Sequence, residues 1–232
     1  MLPLCIAFSG GMLIFLVLIP LYIGSKLNSL IRPVLAAIKG IASLTAISFG
    51  VAGIIKMVYY SNNGDALPSL TNEMWLLAGL ILCAAGDITL IFSITAGGSL
   101  FFLAHVSYLV FFLRAGNFSP ISILIFTLTA AMVMCSLYQY IGSVGKNKLR
   151  LIMYGIVVLA CCSIGIMLPF QIGIAGFLPA LGCVLLAVSD YMLFRNTYVE
   201  DTVLTDSIAL NTYYTGIFLM ALSLYLKAFL VL

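Results

Sequence analysis

The chain has 232 residues, of which 64% are hydrophobic and 7% charged, and its mean hydropathy is +1.25. A soluble domain carries about 25% charged residues to cover its water-facing surface. Ten Lys/Arg and seven Asp/Glu therefore exclude a soluble enzyme, a disordered chain and a secreted disulfide scaffold, and a scattered net charge of +3 excludes a nucleic-acid partner.

A single integral-membrane domain spanning residues 1–232 remains. Its apolar runs are long and continuous, unlike the ~10-residue alternating segments of a transmembrane barrel. The predicted fold is all-α, a polytopic bundle, and at roughly 20 residues per span the length gives about eight transmembrane helices. The first is expected at Leu4–Gly24, a spanning helix rather than a cleaved signal peptide because no basic segment precedes it. A basic turn from Lys26 to Arg32 leads to the second, Pro33–Tyr60, which the turn Ser61–Asp65 ends. The third covers Glu73–Ile94, and a hinge at Thr95–Gly98 leads to the fourth, Ser99–Leu113. Pro120 opens the fifth, Ile121–Ile141, and Gly145–Lys148 separates it from the sixth, Leu151–Leu168. The seventh covers Gly173–Phe194 and the eighth Asp206–Leu230.

Lys26, Arg32, Lys146, Lys148, Arg150 and Arg195 fall in the odd-numbered loops. The positive-inside rule places those loops in the cytoplasm and both termini outside, in the inner or plasma membrane if the source is bacterial. All six cysteines lie within apolar runs, without a C-x-x-C spacing and with one histidine in the chain, so they read as packing residues and no metal site is expected.

The third and seventh helices share a pattern. Gly79, Gly86-Asp87 and Leu90 match Gly182, Ser189-Asp190 and Leu193, both as Gly-x7-Asp-x2-Leu with a small residue before the acid. Each is followed by a helix with polar residues near its start: His105 and Tyr108 in the fourth, Asn211, Tyr213 and Tyr214 in the eighth. The echo suggests two four-helix halves in parallel orientation.

Asp87 and Asp190 are the two acids flanked on both sides by apolar sequence; the other five sit in loops or at helix ends. An Asp at mid-membrane costs roughly 2.5–3.5 kcal/mol, so both point to function. At 1.5 Å per residue, both acids, His105, Tyr108 and Asn211 to Tyr214 lie roughly 8–12 Å below one membrane edge. Two carboxyls held together away from water can divide the work of acid and base. They can equally bind and release a proton or cation in a transporter. The chain has no G-x-S-x-G, H-E-x-x-H or Gly-rich phosphate loop. The Asp contexts differ from those of intramembrane aspartyl proteases: no Tyr precedes Asp87, and Pro179-Ala180-Leu181 comes before Asp190 rather than after it.

These blocks, covering roughly residues 75–115 and 178–225, resemble the YhhN family of membrane proteins, alkenyl-ether hydrolases of the lysoplasmalogenase type. The resemblance rests on Gly79-Leu80, Gly86-Asp87, Leu90, Gly98, Phe102, His105 and Tyr108. Its second half rests on Gly182, Ser189-Asp190, Leu193, Tyr213-Tyr214 and Ser223. It implies hydrolysis of the vinyl-ether bond of a lysoplasmalogen to a fatty aldehyde and a glycerophospho-ethanolamine or -choline. One of Asp87 and Asp190 would protonate the vinyl carbon, and the other would stay ionised beside the developing cation and take the proton of water. His105, Tyr108, Asn211, Tyr213 and Tyr214 would orient water, carboxyls and substrate. The family tends to have Lys-Pro near the start of the second helix; the candidates here are Lys39-Gly40 and Arg32-Pro33, neither a full match, and Lys39, deeper in the apolar run, is preferred as the phosphate ligand. Residues after Asp190 read Leu-Phe-Arg-Asn, which departs from the family's order at Arg195. A lysophospholipid and the bilayer are the implied partners, and no cofactor is implied. The alternative is a proton- or cation-coupled transporter using the same acids.

Overall fold

The computed structural model describes residues 2–27, 31–62, 70–200 and 202–230. Every regular element among them is helical. The chain opens with α1 (Leu2–Met12), a π-helical stretch (Leu13–Leu18) and α2 (Ile19–Leu27), which together occupy the first expected span. Pro20 has no N–H to give the carbonyl four residues back. The backbone before it widens, and the Ile19 N–H reaches the Ile14 carbonyl, five residues back.

Then follow α3 (Arg32–Asn62), α4 (Leu70–Phe92), α5 (Ile94–Ala115) and α6 (Pro120–Leu137). A 3-10 stretch (Tyr138–Asn147) leads to α7 (Lys148–Gly165), the short α8 (Leu168–Ile172), a 3-10 turn (Gly173–Gly176), α9 (Phe177–Tyr198) and α10 (Val203–Leu230). Among the described residues, seven helical stretches are long and apolar enough to cross a membrane. That count departs from the expected eight because residues 148–198 form one continuous stretch. Inside it α7 and α9 are separate helices packed side by side, and Gly173, at φ 69°, makes a turn between them that a side chain would oppose.

Two expected boundaries move for a local reason. The break between α4 and α5 is Ser93, in extended conformation, whose hydroxyl accepts from the Ala96 N–H at 3.3 Å and caps α5. Gly97 and Gly98 lie inside α5 rather than in a hinge, and Gly97 lets the Leu90 backbone come close. The expected turn at 61–65 lies partly in α3, which runs to Asn62; residues 63–69 fall outside the described residues.

The core is built from α3, α4, α5, α9 and α10, with α3 between α4 and α10, and α7 joining α5 to α9. The closest pairs are α4 with α5 and α9 with α10. Glycine permits both: Gly79 receives the Tyr108 ring, and Gly182 faces Gly216, where an added Cβ would lie 2.8 Å from the Gly216 carbonyl oxygen. Outside the core, α6 packs on α7 and exposes Ile123, Leu124, Leu128 and Met132. Such an apolar exterior suits hydrocarbon rather than water.

Candidate functional site

Lys39 and Ser43 are one turn apart on α3 and both face α4, where Asp87 is 1% exposed. Ser43 donates its hydroxyl hydrogen to Asp87 Oδ2, and Lys39 Nζ stands 3.6 Å from Asp87 Oδ1, an ion pair at 10% and 2% side-chain exposure. From α10 the hydroxyls of Tyr213 and Tyr214 face the same carboxylate. Tyr213 donates to the Cys83 carbonyl at 3.3 Å and Tyr214 to the Lys39 carbonyl at 3.4 Å, which fixes both rings. Across the opening, Lys39 Nζ lies 5.3 Å from the centre of the Tyr22 ring.

Asp190 has a different set of neighbours. His105 Nε2 of α5 is 3.3 Å from its Oδ2, and the Tyr154 hydroxyl of α7 faces it. The other imidazole nitrogen, Nδ1, lies 2.9 Å from the Phe101 carbonyl oxygen. A carbonyl only accepts, so Nδ1 carries a hydrogen. Nε2 and Oδ2 then face each other, buried, and neither has a hydrogen-bond partner among the described residues. Two facing acceptors repel, so a close contact of this kind calls for a hydrogen on one of the two groups. The ring is further held edge-on by Tyr108 and Tyr154, at centroid distances of 5.9 and 5.6 Å.

A cavity of about 410 Å³ reaches this cluster from the helix ends near the α4–α5 junction. Asp190, Lys39, Tyr22 and Tyr213 line its inner part together with apolar residues such as Leu90 and Leu193. Asp87 and His105 are not in the lining; they stand behind Lys39 and Asp190. Each of the two acids thus has a basic neighbour of its own, Lys39 for Asp87 and His105 for Asp190, and of the two carboxyls Asp190 meets the cavity.

The other expected residues divide. Tyr213, Tyr214, Lys39 and His105 converge on the acids. Tyr108 is fully buried but points its hydroxyl at the Cys83 thiol, 3.2 Å away, and supports the His105 ring instead of facing a carboxyl. Asn211 is not brought into the cluster: it lies on the exposed flank of α10 and its amide donates to the Ser207 carbonyl at 2.8 Å. Arg32 opens α3 at the exposed end, away from Asp87, so Lys39 is the basic residue of this helix that meets the cluster. Ser43 and Tyr154 were not singled out by the sequence. Ser43 had a signal, its i+4 spacing from Lys39; Tyr154 had only its place in the sixth expected helix. Among the described residues no group of three or more His, Cys, Asp or Glu is arranged to hold a metal ion.

An all-helical bundle with an apolar exterior and ionisable pairs buried among its helices defines a multi-pass membrane protein. The model of the YhhN family matches residues 48–224, well over half of the chain, and the chain belongs to that family. The match runs from α3 through α10 and includes both acids, His105, Tyr154 and the Tyr213-Tyr214 pair. No curated protein and no solved structure matches it.

Proposed function

We propose that this protein hydrolyses the vinyl-ether bond of a lysoplasmalogen, with Asp190 as proton donor. The observation that carries this reading is the contact of the Asp190 carboxyl with both the cavity and His105, whose Nε2 lies 3.3 Å from Oδ2. Asp190 transfers its proton to the β-carbon of the vinyl ether, leaving a carboxylate beside the oxocarbenium ion it has created. Water adds to the cation and its proton returns to the Asp190–His105 pair. The hemiacetal then collapses to aldehyde and glycerophospho-alcohol, and the protein ends as it began. Asp87 acts through Lys39: it holds the ammonium in the cavity wall, where its N–H groups face the glycerol and ether oxygens of the substrate. A single-chain lipid reaches the cavity from the bilayer.

The reading includes eight crossings, with α7 and α9 as two of them, the odd-numbered loops cytoplasmic and both termini outside. It also includes two parallel halves, α1–α5 and α6–α10. Packing supports the halves: the contact of α3 with α10 has its counterpart in that of α7 with α5, and α4 with α5 in α9 with α10. Paired halves also occur in transporters, so proton-coupled transport is the second reading.

Release of fatty aldehyde from lysoplasmenyl-ethanolamine by the purified protein separates the two. Asp190→Asn is expected to lower the rate at least about 100-fold, the scale of a lost general acid, while inserting normally. Wild-type protein that takes up substrate without releasing aldehyde would favour transport and overturn the hydrolase.

A further inference from the structure

The outer part of the cavity carries a second polar cluster that the proton chemistry does not use. Lys26, in the last turn of α2, forms an ion pair with Asp206, in the first turn of α10, at 41% and 22% side-chain exposure. Asn196 of α9 donates its Nδ2 hydrogen to Asp206 Oδ1 at 2.8 Å. That bond fixes the amide, because the flipped orientation would point oxygen at carboxylate. Asn196 Oδ1 is consequently left as a buried acceptor with no partner among the described residues. All three side chains line the cavity.

We infer that Lys26, Asp206 and Asn196 form a headgroup site for a phosphoethanolamine, the Lys26 ammonium taking the phosphate while Asp206 and Asn196 Oδ1 accept N–H bonds from the amine. This rests on the hydrolase reading for the identity of the lipid. A buried unpaired acceptor asks for a donor, and a primary ammonium has three N–H groups where a quaternary ammonium has none. The cluster therefore selects ethanolamine over choline. The spacing suits one molecule. Asn196 lies six residues beyond Asp190 along α9, a rise of ~9 Å. Seven bonds separate the vinyl β-carbon of a lysoplasmalogen from its phosphorus, about 8–9 Å at ~1.2 Å per bond of extended chain. A headgroup seated at Lys26 and Asn196 leaves the vinyl carbon beside Asp190. The lipid exchanges its own charges for those of the Lys26–Asp206 pair, so neither side chain is left uncompensated.

The test is equilibrium binding of two alkyl-ether lysolipids to the full chain in detergent. These are 1-O-hexadecyl-glycero-3-phosphoethanolamine and its phosphocholine counterpart, which lack the vinyl bond and cannot be turned over. Wild type is expected to bind the ethanolamine lipid about tenfold more tightly, the scale of a charge-assisted hydrogen bond. Asn196→Ala is expected to erase most of that difference by weakening the ethanolamine lipid alone. Lys26→Gln is expected to weaken both lipids together and preserve their ratio. Equal binding of the two lipids by wild type, or a parallel loss of both in Asn196→Ala, would overturn the site. A preserved preference without aldehyde release from the vinyl-ether lipid would instead sink the hydrolase and leave the headgroup site standing.

Discussion

Asp87→Asn isolates the role of the acid that does not meet the cavity. The substitution keeps the shape of the side chain and the Ser43 contact, but leaves the Lys39 ammonium, 8% exposed as a residue, without its anion. Tyr22 offers that ammonium only a ring face at 5.3 Å. Removing one partner of a buried pair costs about 3–5 kcal/mol, because the other charge is left uncompensated. At about 2–4 °C per kcal/mol for a chain of this size, the midpoint of thermal unfolding is expected to fall by about 6–20 °C. Pairing the change with Lys39→Met removes the stranded charge, so the double variant is expected to recover most of the loss. The assay is thermal unfolding of the purified variants in one detergent, followed by monodispersity on size-exclusion chromatography. Two results would refute the reasoning: an unchanged midpoint for Asp87→Asn, or a double variant as unstable as the two single losses added together. Either would mean that Lys39 does not depend on Asp87 for its counter-charge, and the positioning role would fall with it.

Two further outcomes follow from the chemistry and the packing. Hydrolysis in D2O is expected to place one deuterium on C2 of the released aldehyde, read by mass spectrometry, because the proton goes to carbon; an unlabelled product would refute carbon protonation. Gly53→Ala would set a Cβ 2.5 Å from the Leu224 carbonyl oxygen, and forcing α3 away from α10 is expected to cost about 1–3 kcal/mol, seen as a lower unfolding midpoint. An unchanged midpoint would show that the two helices can part without loss.

The sequence made depth legible and left rotation hidden. Asp87, Asp190 and His105 stand out because an ionisable group in a long apolar run is costly, and counting residues from the helix ends fixes how far down each one sits. Which way it faces depends on how the helix is turned, and packing decides that. On α10 the inward stripe runs through Leu210, Tyr213, Tyr214, Ile217 and Met220 and is pinned by Gly216 against Gly182. Asn211, at the right depth, falls beside that stripe and points away. Tyr108 sits at the depth of His105 but spends its hydroxyl on Cys83. Ser43 and Tyr154 carry little signal because a serine or tyrosine in an apolar helix is cheap compared with an acid. Their importance comes from the carboxyl each of them faces. The division of the acids into two pairs was likewise hidden, since it depends on which basic group each carboxyl meets across a helix interface.

The two pairs are related in a way that explains why they differ. On the two-half reading, α4 corresponds to α9, α3 to α7, and α5 to α10. Asp87 on α4 takes its partners from α3, as Lys39 and Ser43, and from α10, as Tyr213 and Tyr214. Asp190 on α9 takes its partners from the corresponding helices, Tyr154 from α7 and His105 from α5. The scaffold offers each acid the same two walls, and the side chains on them set its work. On the proposed reading, the ammonium on one wall compensates Asp87, and that carboxylate holds a cation in place. A phenol, Tyr154, faces Asp190 from α7, and an imidazole whose other nitrogen is tied to a carbonyl faces it from α5. On the same reading that carboxyl shares a proton with the imidazole, and the cavity lies in front of it. Unequal partners on corresponding helices, on the proposed reading, separate a charge holder from a proton donor, a division that two identical sites would lack.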